Sequence, residues 1–344
     1  MRLVRGGAAR LVQLRNPWGE LEWRGDWSDS SQLWTPQLRR ALQPHGSEAG
    51  TFWMAWPDFT KFFSAVDVCR VRPGWPELRA HGAIPSRPPA TGGTLRAFSV
   101  EVAESTPMEI TLMQRTRRGT AATQPPTDML LLLLRLKGAG GGTTGSGFDV
   151  ASLLACSARS MRSAVSCEAL ASQGRYLLVP LSLHPAAAAR EHPVVLRLGS
   201  SKPLHLDAVA LPTAAAAAAL AAYARRGRRR DAFDGMSLWA LQDGAGLVSY
   251  AENRSGALSF CVGLDHAGST NVVPSRGAPL TSDTLLPRHS QLVQVLNVAS
   301  EDYSSRMKAQ LKLSAEPPSV DAHAPGVAGS FLHCPRRLSE GKSV

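Results

Sequence analysis

Asn16 ends the short apolar run ARLVQLR and is followed at once by Pro17, Trp18 and Gly19. That order suits the holding of one amide side chain at a strand exit, because proline stiffens the backbone that leaves it. A held amide has a use in nucleophilic catalysis. Where a cysteine thiolate attacks and a histidine moves the proton, a third group must orient the imidazole. An amide oxygen does this by accepting the imidazole N–H, which fixes the tautomer without adding charge. Asn16 is the candidate for that role, and Trp18 the candidate for shielding the amide–imidazole hydrogen bond from water. An Asn-Pro pair also opens ordinary turns, so the local residues leave both readings open.

The elements that would position these residues are short. ARLVQLR reads as a strand, SQLWTPQLRRAL as a helix with Ser31 as N-cap, and GTFWMAW as a strand leading into a helix opened by Pro57 and Asp58. SAVDVCRV returns to a strand pattern. Six of the eight tryptophans lie at or before Trp56, an unusual aromatic density. A Pro/Gly-dense stretch from Arg72 to Gly93 then reads as a linker.

Beyond it, TLRAFSVEVAE, PMEITLMQRT, DMLLLLLRLKG, GRYLLVPLSLH and HPVVLRLGS are short strand-like runs between turn clusters, the pattern of an antiparallel sandwich. GAGGGTTGSG reads as a hairpin tip, since no Lys-Ser/Thr pair follows to make a phosphate loop. LPTAAAAAALAAYARRGRRRD reads as a helix with a weak apolar stripe, hence an exposed connector. MSLWALQ, GLVSYAEN, ALSFCVGLD, SQLVQVLNVAS and RMKAQLKLS form a second set of strands, and the tail from Ala315 reads as disordered.

Composition narrows the classes. No apolar run reaches the ~18 residues that a membrane span needs, and the first residues lack a secretory apolar segment. The five cysteines, at 69, 156, 167, 261 and 334, are never at CxxC spacing, which argues against a disulfide framework or a zinc site and for a reducing, cytoplasmic setting. The net charge of +11 carries one dense basic run, Arg225 to Arg230, in a chain rich in Ala, Arg, Gly and Pro throughout. That distribution argues against nucleic acid and leaves an anionic membrane as a candidate partner.

LVQLRNPWGELEWRGDWSDSS, with GTFWMAWPDFTKFFSAVDVCRV after it, resembles the end of the calpain protease core, the second lobe of a papain-like cysteine protease. ITLMQRTRR and GRYLLVPLSLH look like strands of the calpain-type β-sandwich. SYAENRSGALSFCVGLDHAGSTNVVPSRG and LLPRHSQLVQVLNVAS look like the C-terminal region of the small-optic-lobes calpain subfamily.

The resemblance implies an α+β, mainly β chain: residues 1–71 the end of the second protease lobe, 72–93 a linker and 94–203 a calpain-type β-sandwich. Residues 204–232 would then be an Ala/Arg-rich helical connector, 233–314 a second sandwich-like module, and 315–344 a disordered tail. It also implies peptide-bond hydrolysis by a Cys-His-Asn triad, with Asn16 as the third member and Trp18 beside it.

The chain departs from the calpain pattern at the other two triad positions. The nucleophile and base of calpains precede this asparagine, yet none of the 15 residues before Asn16 is Cys or His. Cys69 reads as a buried strand cysteine, and His45 and His81 sit in loop-like sequence. The chain is therefore expected to be the C-terminal fragment of a calpain-like endopeptidase, inactive alone, acting on protein substrates with a missing N-terminal protease half. The alternative is a non-catalytic β-sandwich module that binds proteins or membranes.

Calcium is a further implied ligand. The first acidic loop of the calpain lobe maps onto Glu22 and Asp29. The second, DGEFW in the family, reads Ala49-Gly50-Thr51-Phe52-Trp53, so two carboxylates are lost and the site is expected to be degraded.

Overall fold

The computed structural model describes residues 2–6, 9–18, 23–42, 50–66, 68, 71–85, 88–115, 127–137, 150–184, 191–299, 302–314 and 330–338. The chain divides into two units, Met1–Arg72 and Pro73–Val344.

In the first unit, β1 (Arg2–Gly6), β2 (Ala9–Arg15) and β3 (Thr51–Ala55) form an antiparallel sheet in that order. Alternation sends successive β2 and β3 residues to opposite faces, and both faces are covered. Leu11 and Trp53 pack with Trp34 on one side, and Val12 and Met54 with Phe59 on the other. Phe59 belongs to α2 (Trp56–Phe62), which opens with proline at its first turn as the sequence suggests.

The other helix, α1 (Pro36–Leu42), starts later than expected. Ser31 does not cap it. Its hydroxyl accepts from the Leu33 N–H at 3.3 Å, while Thr35 accepts from the Leu38 N–H at 3.2 Å. The cause is Pro36, whose ring disfavours helical backbone in the residue before it and so makes Thr35 the boundary. Val68 is not in a strand, and Asp67, Cys69 and Arg70 lie outside the described residues.

The second unit begins with nine strands: β4 (Glu77–Pro85), β5 (Thr94–Val102), β6 (Thr106–Gln114), β7 (Leu130–Leu136), β8 (Val150–Cys156), β9 (Ala164–Ala171), β10 (Gly174–Leu181), β11 (Glu191–Ser200) and β12 (His205–Pro212). They form two antiparallel sheets, ordered β12-β5-β10-β7-β8 and β4-β11-β6-β9. Part of the stretch expected as linker is thus the edge strand β4, paired with β11 along its whole length, and His81 sits in that strand rather than a loop. Proline and glycine are tolerated there because an edge strand presents only one side to a neighbour.

The chain continues through α3 (Thr213–Ala224) into β13 (Arg228–Phe233), β14 (Met236–Asp243), β15 (Gly246–Asn253), β16 (Phe260–Asp265), β17 (Val272–Pro274), β18 (Leu280–Leu285), β19 (His289–Val298) and β20 (Lys308–Leu313). A short 3-10 turn, Phe331–His333, precedes β21 (Arg336–Arg337). One sheet runs β13-β14-β15-β19-β17 with β21 also on β19, and the other runs β18-β16-β20.

The leucine run of β7 explains how these layers join. Leu131 and Leu133 face the other sheet of the first sandwich, among Phe98, Ile110, Tyr176 and Leu196. Leu130, Leu132, Leu134 and Leu136 face the opposite way, against α3 and the side chains Trp239, Val248, Tyr250 and Val295 of the second module. A strand buried on both faces reads as a continuous apolar run. Each leucine removed from water there contributes about 1.5–3 kcal/mol.

The helix α3 lies between the two modules, which corrects its reading as an exposed connector. Ala215, Ala216, Ala219, Leu220, Ala221, Tyr223 and Ala224 are all buried. Alanine on both its covered and its open faces leaves no stripe in the sequence, since Ala214 is exposed and Ala217, Ala218 and Ala222 are half-buried, and small side chains let the sheets approach the buried faces closely. The tail is corrected in part as well. Residues 315–329 lie outside the described residues, but Phe331 and Leu332 enter the shared core. His333 docks beside them, with Nδ1 donating to the Leu292 carbonyl at 2.7 Å and Nε2 against Ser275 Oγ at 3.0 Å. Burial pushes its pKa down to about 4, so it docks as a neutral imidazole.

One buried guanidinium crosses the seam. Arg159, on the loop between β8 and β9, is fully buried. Its Nη1 donates to Asp128 at 3.1 Å in the first sandwich and to Asn297 Oδ1 at 2.8 Å on β19, and its Nε donates to Asp243 at 3.0 Å at the end of β14. The Tyr223 hydroxyl of α3 donates to the same Asp243 carboxylate at 2.9 Å. Burial works against the Arg159 charge, but Asp243 and then Asp128 outweigh it and raise its pKa. Gly246 admits the backbone beside it. With φ at +132°, a Cβ there would stand 2.0 Å from the Leu296 carbonyl oxygen.

Arg159→Met should destabilise the second unit by about 3–5 kcal/mol, because it strands two buried carboxylates. Urea unfolding of the full chain measures this. The triple variant Arg159→Met/Asp128→Asn/Asp243→Asn should recover part of the loss.

Candidate functional site

The register of β2 against β3, ending on the pair Arg15↔Thr51, places Asn16 directly beside Gly50. The Asn16 backbone N–H donates to the Gly50 carbonyl at 2.8 Å, which extends the ladder by one residue past the strand end. Gly50 has φ at +80°, in the left-handed region where glycine carries no Cβ penalty. Asn16 Oδ1 accepts from the Trp18 N–H at 3.1 Å, closing a turn around Pro17. Backbone and side chain of Asn16 are therefore both restrained, the first by the sheet and the second by the turn. By strand alternation Asn16 continues the face of Val12 and Leu14.

A carboxamide oxygen has two lone pairs, so the oxygen that holds the turn can also accept an imidazole N–H. The site thus offers a neutral, pre-oriented acceptor. It offers no nucleophile among the described residues. The cysteine and histidine of the first unit, Cys69 and His45, lie outside them.

Trp18 stands out in solvent, 84% exposed, and shields nothing among the described residues. The other tryptophans are structural. Trp53 and Trp34 are buried, with Trp34 edge-on to Trp27 at 5.1 Å and its Nε1 donating to the Ser28 carbonyl at 2.8 Å. Trp23 donates to the Asp26 carbonyl at 2.7 Å and meets Phe62 edge-on at 5.4 Å. Trp27 itself takes φ +66°, a conformation that costs a bulky residue energy and is held here by its packing on Trp34.

The calcium expectation meets a poor donor set. Asp29 is half-buried in the loop between Trp23 and Ser31, and Glu22 lies outside the described residues. Thr51 is the first residue of β3 and brings a hydroxyl where the family has a carboxylate; Ala49, with a methyl group at the other such position, lies outside the described residues. Among the described residues no three His, Cys, Asp or Glu side chains converge as a metal cage. A hard cation of this kind takes 6–8 oxygen ligands, and these donors do not fit one.

Comparison with known proteins accounts for this hairpin. Residues 2–70 match the calpain family cysteine protease domain, and residues 222–317 match the calpain-D-like C-terminal domain. Two segments of the chain are calpain-family sequence.

The chain is 51% identical over 78 residues to the calpain-type cysteine protease ADL1 of Oryza sativa subsp. japonica, a match covering 21% of the chain and 4% of that relative. It is 52% identical over 67 residues to calpain-type cysteine protease DEK1 of Arabidopsis thaliana, covering 19% and 3%. Against calpain-8 of Mus musculus it is 46% identical over 72 residues, covering 20% and 10%. The chain therefore spans a small part of the length of the curated calpains it matches. Among the described residues no helix is long and apolar enough to cross a membrane, and Cys156, Cys167, Cys261 and Cys334 are free thiols.

The residue that sequence reasoning missed is Gly50. Its carbonyl holds Asn16, and its positive φ leaves no trace in the sequence beyond the glycine itself. Calorimetric titration of the full chain with calcium should show no binding tighter than about 10⁻⁴ M. Micromolar binding abolished by Asp29→Asn would show that the acidic loop is completed by other donors.

Proposed function

We propose that the chain is the C-terminal part of a calpain-type cysteine endopeptidase in which Asn16 positions the base. The nucleophilic cysteine and the histidine come from calpain sequence outside these 344 residues, on the same polypeptide or on a second one. The observation that carries this reading is the double restraint of Asn16, whose oxygen is fixed at a strand exit inside a segment that matches the calpain protease.

In the assembled site a thiolate adds to the peptide carbonyl carbon, the C–N bond breaks, and the amine leaves with the proton carried by the imidazolium. Water then hydrolyses the thioester. Asn16 takes no proton in these steps. It accepts the imidazole N–H, keeps the other ring nitrogen towards the thiol, and adds no negative charge that would trap the imidazolium. Trp18, two residues from Asn16 and exposed here, is assigned to cover that hydrogen bond in the assembled site. The substrates are proteins. The β modules provide a rigid body rather than chemistry, and no step in this unit passes through calcium.

The test is reconstitution with a calpain protease half that carries the cysteine and histidine, read with a fluorogenic peptide. The chain alone should be inactive and the assembly active. Asn16→Ala should lower kcat by about 10²-fold with little change in KM, and Asn16→Asp should recover part of it because a carboxylate also accepts the N–H. Activity of the chain alone, or an unaltered kcat in Asn16→Ala, contradicts the assignment.

A further inference from the structure

The basic run that the protease reading leaves unused is a sheet edge. Arg228, Arg229 and Arg230 begin β13, the outermost strand of its sheet, and every residue of that strand is exposed. One side pairs with β14 from Arg228↔Ala240 to Phe233↔Met236. Among the described residues no strand pairs with the other side, which leaves its backbone N–H and C=O groups as a template for one more strand.

The strand is rigidly mounted at both ends. It follows α3 after a tight turn in which the Gly227 N–H donates to the Ala224 carbonyl at 3.0 Å. A Cβ on Gly227 would lie 2.5 Å from the Ala240 carbonyl oxygen, so only glycine allows this close approach. At the far end Phe233 stacks on Phe260 at 5.5 Å.

Alternation divides the arginines. Arg229 shares a face with Trp239 and Asp231. Its guanidinium lies 5.4 Å from the Trp239 ring, Nε meets Asp231 at 2.8 Å, and Nη2 donates to Ser237 Oγ at 3.2 Å. Arg228 and Arg230 share the opposite face and have no carboxylate partner among the described residues. Two unpaired guanidinium groups two residues apart on an edge strand match acidic side chains two residues apart on an added strand, where opposite charges across a pair are stabilising. A second copy paired antiparallel about Arg229 would set Arg228 against Arg230, like charges that destabilise a cross-strand pair.

We propose that the free edge of β13 is a docking site for an extended acidic segment of a partner protein. The segment adds as a strand and sets Asp or Glu at positions i and i+2 against Arg228 and Arg230. Backbone hydrogen bonds supply the pairing, and the two arginines select the partner. This site does not depend on protease activity.

The test uses the full chain and fluorescence anisotropy with a short labelled peptide of alternating Glu and β-branched residues. Binding should weaken as salt rises. It should fall by roughly tenfold or more when Gln replaces Glu, and by a similar factor in Arg228→Glu/Arg230→Glu. A peptide of the same charge, N-methylated at alternate amides, should also bind at least tenfold more weakly, because it cannot complete the ladder. Circular dichroism of the variant, with Arg228→Gln/Arg230→Gln as a milder second form, separates lost binding from lost fold. Three results overturn the proposal: no binding of the acidic peptide by the wild-type chain, equal binding of the N-methylated peptide, or arginine-dependent sedimentation with phosphatidylserine vesicles in place of peptide binding.

Discussion

A single guanidinium with no access to water ties together the larger unit. Arg159 belongs to the first sandwich by sequence, yet its donors are spent on carboxylates and an amide from both modules. Burying that charge costs several kcal/mol, which is recovered only if every partner is in place at once. The pairing of β7 with β10, the entry of α3 and the ends of β14 and β19 must all be correct for the network to close. The apolar seam supplies the larger share of the stabilisation, but it is non-directional and tolerates sliding. The ion network does not, and so it sets the alignment of the two modules on α3.

The smaller unit uses a local version of the same principle. Nothing about an isolated Asn-Pro dipeptide makes the amide useful. What makes it so is that the β2–β3 register carries Asn16 to Gly50 and a backbone hydrogen bond ends the ladder there. Trp53 and Met54 hold that register by packing opposite faces of one short strand. A slip by one residue would turn Trp53 towards Phe59 and Met54 towards Trp34, so the two cores lock the position of the amide.

Much of this was legible in the residue pattern, and the misses have physical causes. The strands with continuous or alternating burial, such as β5, β7, β10 and β19, were readable because their patterns match the layers they lie between. Strand β4 was not, because proline and glycine look like a linker and only pairing with β11 shows otherwise. Helix α3 was legible as a helix, but its lack of a stripe hid the burial of most of its surface, because alanine fills covered and open faces alike. Residues 330–338 were hidden by a polar and proline-rich context, although Phe331 and Leu332 carry the apolar weight that draws the segment in. At the hairpin, the NPWG context singles out Asn16 in the sequence. Its partner Gly50 is not singled out, since a positive φ leaves no trace beyond the glycine itself.

In the proposed assembled site Asn16 orients a histidine imidazole. The most direct measurement is ¹⁵N NMR of that imidazole in the reconstituted protease, with and without Asn16→Ala. The ring N–H that faces Asn16 should give a proton signal shifted downfield and protected from exchange, and Asn16→Ala should move that signal upfield and expose it. An N–H signal unaffected by Asn16→Ala would rule out the orienting role.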